Sequence, residues 1–124
     1  MTALSNIITP SNIVTASNTL TLTNKTFTGY TETVYVLSGD DLDPDNGTIQ
    51  TKTLTGNTTF TDSLDSGQSL VLMLNAGDSY TVTWPTITWY TGGGNVAPPL
   101  TASDTLIFWK VSTTLYGAYV GSSE

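Results

Sequence analysis

The feature that most constrains this chain is its period. From Thr31 onward, β-branched and aromatic residues recur in runs of about five to eight, and turn residues close each run. Residues 31–37 end in Ser38-Gly39, and 48–54 follow the turn Asp43-Pro44-Asp45-Asn46-Gly47. Residues 58–64 close on Asp65-Ser66-Gly67, and 68–75 on Ala76-Gly77-Asp78. Residues 79–84 stop at Pro85, 87–90 enter a Gly-rich loop, and 104–111 and 113–120 complete the chain. Apolar positions alternate within these runs as in extended chain, and none holds the i, i+3, i+4, i+7 spacing of a helix. The expected fold is all-β: an antiparallel β-sandwich or jelly-roll-like domain over residues 31–124.

Composition supports that reading and narrows the chemistry. Threonine makes up about a fifth of the 124 residues, more than double its ordinary share, as the solvent side of alternating strands would require. The chain has no His or Cys, and its three cations are Lys25, Lys52 and Lys110, against ten carboxylates, for a net charge of −7. A Ser-His-Asp triad, a Cys-His pair and a thiolate or imidazole metal site are therefore excluded. The cationic footprint that nucleic acid demands is missing too, so no nucleic-acid partner is expected. The longest apolar stretches, 70–74 and 106–109, are far shorter than a membrane span, and the N-terminal residues lack the basic head and apolar run of a secretory signal. The expectation is a soluble protein with no membrane partner.

The first 30 residues read differently. Ser5-Asn6-Ile7-Ile8-Thr9-Pro10, Ser11-Asn12-Ile13-Val14-Thr15-Ala16 and Ser17-Asn18-Thr19-Leu20-Thr21-Leu22 are consecutive six-residue blocks, each beginning Ser-Asn. Six is a multiple of the two-residue period, so each block repeats its side chains on the same face of an extended chain. Residues 1–30 are expected to form an extended N-terminal arm that docks on a partner through Ile7, Ile8, Ile13, Val14, Leu20 and Leu22.

Three groups of residues are candidates for chemistry. Asp41, Asp43 and Asp45 alternate like the first half of a calcium loop. Asn46 stands where such loops have Gly, Pro44 stiffens the segment and no Glu closes it, so a solvated turn is the favoured reading and no cofactor is expected. Asp62, Asp65, Asp78 and Asp104 are the carboxylates from which a glycosidase-type pair would be drawn, but Asp65 and Asp78 adjoin turn glycines and Asp104 opens a strand. Catalysis is not expected. Trp84, Trp89, Tyr90, Trp109, Tyr116 and Tyr119 form an aromatic group near the Gly-rich loop. Such rings pack cores and interfaces, and they also stack on sugars. A glycan contact would fall on Trp89, Tyr90 and Asn95.

The strand 104–111 is apolar on both faces, with Ile107, Trp109 and Val111 opposite Leu106 and Phe108. One face is expected to pack the core, leaving Ile107, Trp109 and Val111, with Tyr116 and Tyr119, for a subunit interface.

Val82-Thr83-Trp84-Pro85, Trp89, Gly92-Gly93-Gly94, Pro98-Pro99-Leu100, Asp104-Thr105-Leu106-Ile107-Phe108 and Leu115-Tyr116-Gly117-Ala118 occur in an order with a family likeness. Together they resemble a β-domain near the ends of tailed-bacteriophage virion proteins, among them tail fibres and capsid-surface proteins. The resemblance spans roughly residues 37–121. It implies a non-enzymatic virion component, usually a homotrimer. A fibre normally has a long shaft before this module, and here only the arm is expected to precede it. The expectation is therefore a trimeric decoration or cement protein on the head surface, assembled in the host cytoplasm, with the major capsid protein or other virion proteins as partners. The alternative is a tail-fibre or tail-tip module that binds a host glycan.

Overall fold

A computed structural model describes residues 13–124, and the chain divides into two units between Tyr30 and Thr31. In the first unit, residues 13–30 contain no strand or helix. Their hydrogen bonds include a small turn in which the Thr15 N–H donates to Asn18 Oδ1 (2.8 Å) and Asn18 Nδ2 donates to the Ile13 carbonyl (2.6 Å). Of the arm positions expected to dock, Ile7 and Ile8 lie outside the described residues. Ile13, Val14 and Leu22 are exposed and Leu20 is half-buried.

The second unit is all-β. Its strands are β1 (Val34–Val36), β2 (Asp41–Leu42), β3 (Ile49–Thr53), β4 (Thr58–Thr59), β5 (Thr61–Asp62), β6 (Ser69–Asn75), β7 (Val82–Thr83), β8 (Thr88–Tyr90), β9 (Ser103–Val111) and β10 (Thr114–Ser122). Six of them make one sheet in the order β1-β3-β6-β9-β10-β8, while β2-β5 and β4-β7 make two small sheets.

The expected antiparallel arrangement is corrected, because most of the pairings are parallel. β1 runs parallel to β3 and β3 to β6, with Val34 opposite Ile49 and Ile49 opposite Val71. The pairs β2-β5, β4-β7 and β8-β10 are parallel as well, and only β6-β9 and β9-β10 are antiparallel. Parallel neighbours need a crossover. Here residues 37–48 and 54–68 supply one each; β2 lies within the first and β4 and β5 within the second, while β7 lies between β6 and β8. The Asn46-Gly47 turn is part of the first crossover: the Gly47 N–H donates to the Pro44 carbonyl at 3.0 Å, and the strands on either side, β2 and β3, do not pair with each other. Residues 58–64, which alternate like a single strand, split around buried Phe60, with β4 bonded to β7 and β5 to β2.

Alternation places one face of the large sheet inward. Leu70, Leu72 and Leu74 of β6 lie opposite Phe108, Leu106 and Asp104 of β9, and Leu115, Gly117 and Tyr119 of β10 continue the row. Leu70, Leu72, Leu74, Leu106, Phe108 and Leu115 join Leu42, Phe60, Leu64 and Trp89 in one core cluster, and half-buried Tyr119 packs against it. Burying a side chain such as Phe60 or Phe108 contributes about 1.5–3 kcal/mol. Trp84 stacks on Phe60 with ring centroids 4.9 Å apart, and Trp89 meets both Trp84 and Phe108 edge-on.

Polar groups close the margins of this core. Buried Asp104 accepts hydrogen bonds from Thr101 N–H (2.7 Å), Thr101 Oγ1 (2.9 Å) and the Tyr119 hydroxyl (2.7 Å). Lys110 ties β9 to β5 through Asp62 at 2.9 Å, and Lys52 reaches Asp40 at 3.0 Å. Buried Gln50 holds the first crossover by donating from Nε2 to the carbonyls of Asp43 (2.7 Å) and Gly47 (3.0 Å).

Candidate functional site

The opposite face of the large sheet is the candidate site. The strand register lines it with Val34 and Val36 from β1, Ile49, Thr51 and Thr53 from β3, and Val71 and Met73 from β6. Thr105, Ile107, Trp109 and Val111 follow from β9, Thr114, Tyr116 and Ala118 from β10, and Thr88 and Tyr90 from β8. No carboxylate or lysine stands at any of these positions, in a chain of net charge −7. Val36 is 73% exposed, Val34 62%, Tyr90 60%, Val111 55% and Met73 47%, so a single chain leaves the face open to water. An uncharged face that gathers several exposed hydrophobic residues on one side of a sheet is a candidate interaction site, because exposed hydrophobic residues are ordinarily scattered singly.

The densest part of the face is aromatic. Trp109 and Tyr116 are direct cross-strand partners, with ring centroids 5.7 Å apart and planes 15° from parallel. Tyr90 lies 6.0 Å from each of them. Cross-strand aromatic pairs of this kind contribute about 0.2–1 kcal/mol relative to alanine pairs and present a stiff, flat surface.

The structure brings together four of the five expected interface residues: Ile107, Trp109, Val111 and Tyr116 share this face. Tyr119 is the exception and is corrected. It lies on the core side, where its hydroxyl donates to Asp104, because the β10 alternation sends odd-numbered residues inward up to a bulge between Tyr119 and Gly121.

The expected glycan contacts do not converge. Trp89 is buried at 7% exposure among Trp84 and Phe108, so its assignment as a loop contact is corrected. Exposed Asn95 is held to the backbone, accepting the Trp89 N–H on Oδ1 at 2.6 Å. Tyr90 and Asn95 are exposed, but Tyr90 belongs to the aromatic group on the sheet face, with Trp109 and Tyr116 as its neighbours.

The acidic loop separates in a similar way. Asp41 accepts from Thr61 Oγ1 (2.7 Å) and Ser63 Oγ (2.6 Å), tying β2 to the β5 segment. Asp43 accepts from the Asp45 N–H (3.0 Å) and Asn46 Nδ2 (3.3 Å), and Asp45 accepts from Gln68 Nε2 (3.0 Å). Each carboxylate serves different partners, and among the described residues no group of three acidic side chains converges as a metal would need. Sequence reasoning missed Val34, Val36, Ile49, Val71 and Met73 as part of the site. The signal that could have found them is the apolar alternate set in β6, where Val71 and Met73 stand on the side opposite Leu70, Leu72 and Leu74.

Among the described residues no pocket opens on the surface and no helix is long and apolar enough to cross a membrane. Comparison with known proteins found no matching family model, curated protein or solved structure.

Proposed function

We propose that this chain is a non-enzymatic structural protein of a tailed-bacteriophage virion, a homotrimeric decoration or cement protein on the head surface. In this reading residues 31–124 form a two-layer β-sandwich, with the small sheets facing the large one across the core, and residues 1–30 form an arm that docks on the major capsid protein or another virion protein. The observation that carries the reading is the uncharged outer sheet face, which a neighbouring subunit would cover. Its mechanism is structural: each contact adds interface area between neighbouring subunits and raises the barrier to their separation. With Trp89 in the core, the second reading, a tail-fibre or tail-tip module binding a host glycan, rests on Tyr90 and Asn95 together with Trp109 and Tyr116.

Quantitative mass spectrometry of purified particles tests the assignment. Hundreds of copies per virion support decoration; a few tens or fewer, confined to the tail, support the fibre reading. Absence from the particle overturns both. Multi-angle light scattering of the isolated chain checks the trimer, for which the expected mass is three times 13.1 kDa.

A further inference from the structure

The two edges of the large sheet are finished differently. At the β8 edge, the Trp89 N–H faces away from β10 and the Asn95 side chain caps it at 2.6 Å. At the β1 edge, the Thr33 carbonyl and the Leu37 N–H are bonded to β3, through the Ile49 N–H (3.3 Å) and the Thr51 carbonyl (2.9 Å). In a parallel ladder alternate residues turn their main-chain groups toward the partner. The N–H and C=O groups of Val34 and Val36 therefore face outward, and among the described residues no strand pairs with them. This edge carries no proline or lysine, the usual devices that stop strand addition.

A matching strand lies unused in the same chain. Thr19-Leu20-Thr21-Leu22-Thr23 alternates with a strict period of two, and all five residues suit extended structure, yet they form no strand in the single chain, with Leu22 exposed. Charge favours its addition to another copy. Residues 1–30 carry no carboxylate and one lysine, whereas residues 31–124 carry ten carboxylates against two lysines, a net −8. Two acidic bodies repel each other, and the carboxylate-free segment is the part of one copy that approaches another without that cost.

We infer that residues 19–23 of one copy add to the free edge of β1 in a second copy as a seventh strand. Leu20 and Leu22 then extend the apolar face beside Val34 and Val36, which are among its most exposed members. The added strand supplies main-chain partners to Val34 and Val36, and alternate side chains set its register. The inference rests on the homo-oligomer of the proposed function and names the contact that links one copy to the next.

The absence of cysteine makes the test clean. Chains carrying Leu20→Cys or Leu22→Cys are each mixed with chains carrying Val34→Cys or Val36→Cys and oxidised gently. Residues opposite on neighbouring strands have Cβ atoms about 4.5–5.5 Å apart, near disulfide reach. Both pairs are two residues apart, so at least one combination falls opposite. The expected result is a disulfide-linked mixed dimer at least tenfold above that in single-variant controls. The cross-link is lost when Val34→Pro is added to the Val36→Cys chain, because that N–H faces away from β3 and proline removes it without breaking the β1-β3 ladder. No mixed dimer, a mixed dimer indifferent to proline, or a disulfide that forms only within a chain carrying both cysteines would overturn the inference. Light scattering on the same samples separates the two levels. An oligomer that persists without the cross-link refutes the strand exchange alone, whereas a monomer refutes the homo-oligomer as well.

Discussion

Trp89 and Gly117 are cross-strand partners, and the indole occupies the space a side chain at Gly117 would need. A Cβ built on Gly117 would lie 2.8 Å from Trp89 Cζ3 and 3.0 Å from Ile87 Cγ2. The glycine keeps β8 and β10 close enough to pair while the largest core ring lies across them, and the same pairing turns Tyr90 outward beside Trp109 and Tyr116. Gly117→Ala should cost about 1–3 kcal/mol through overpacking. Chemical denaturation would register this as a lower midpoint with an unchanged slope.

The same relationship separates Trp89 from its neighbour. Trp89→Ala should destabilise the fold by about 3–5 kcal/mol, as a large core truncation does. Tyr90→Ala should cost far less, about 0.2–1 kcal/mol for each of its aromatic contacts with Trp109 and Tyr116. Equal effects of the two substitutions on the denaturation midpoint would refute their assignment to opposite faces of the sheet.

Asp104 and Tyr119 give the protein a signature at alkaline pH. The hydrogen bond to Asp104, then burial, then the negative charges of Asp104 and Glu124 raise the Tyr119 hydroxyl above the ordinary tyrosine value. Because the folded value lies above the unfolded one, this stabilisation is complete below about pH 10 and is lost as pH rises through the folded value. Unfolding midpoints should therefore fall more steeply above about pH 10 in the native protein than in Tyr119→Phe. The substitution should itself lower the unfolding midpoint at neutral pH, because it removes the hydroxyl that donates to Asp104.

Ser112 turns the chain from β9 into β10 with φ 54°, a left-handed conformation that costs a side chain about 1–2 kcal/mol. Ser112→Gly should stabilise the protein by up to about 1 kcal/mol, and a raised melting temperature would show it. The Ser112 N–H donates to Ser66 Oγ at 2.9 Å through the backbone, so the substitution leaves that bond intact.

Charge on the outer face tests assembly apart from folding. Trp109→Lys and Tyr116→Glu place ions where the native sheet has none, and their side chains have water on one side. We expect each to keep the native far-ultraviolet circular dichroism spectrum and to abolish the proposed oligomer in light scattering, since an unpaired ion in a closed apolar interface costs several kcal/mol.

The strands were legible because alternation is a local property. Leu70, Leu72 and Leu74 share one side of β6 in any sheet, and Ile107, Trp109 and Val111 lie opposite Leu106 and Phe108 whatever their neighbours. Most of the candidate interface could be read for that reason. The partner of a strand is a separate question: the alternation of Ile49–Thr53 suits a parallel or an antiparallel neighbour equally, and only the path of the crossovers settles the direction.

Period and composition determined by themselves that this chain is all-β, that it lacks the residues of thiol and imidazole chemistry, and which side chains face each other across a strand. Only the tertiary structure decided that the pairings are mostly parallel, that Trp89 is buried in the core and Tyr119 turns to the core side, and that residues from six strands merge into one uncharged face. Strand order and face continuity depend on contacts between residues far apart in the chain, and a period of two carries no record of which strands those contacts join.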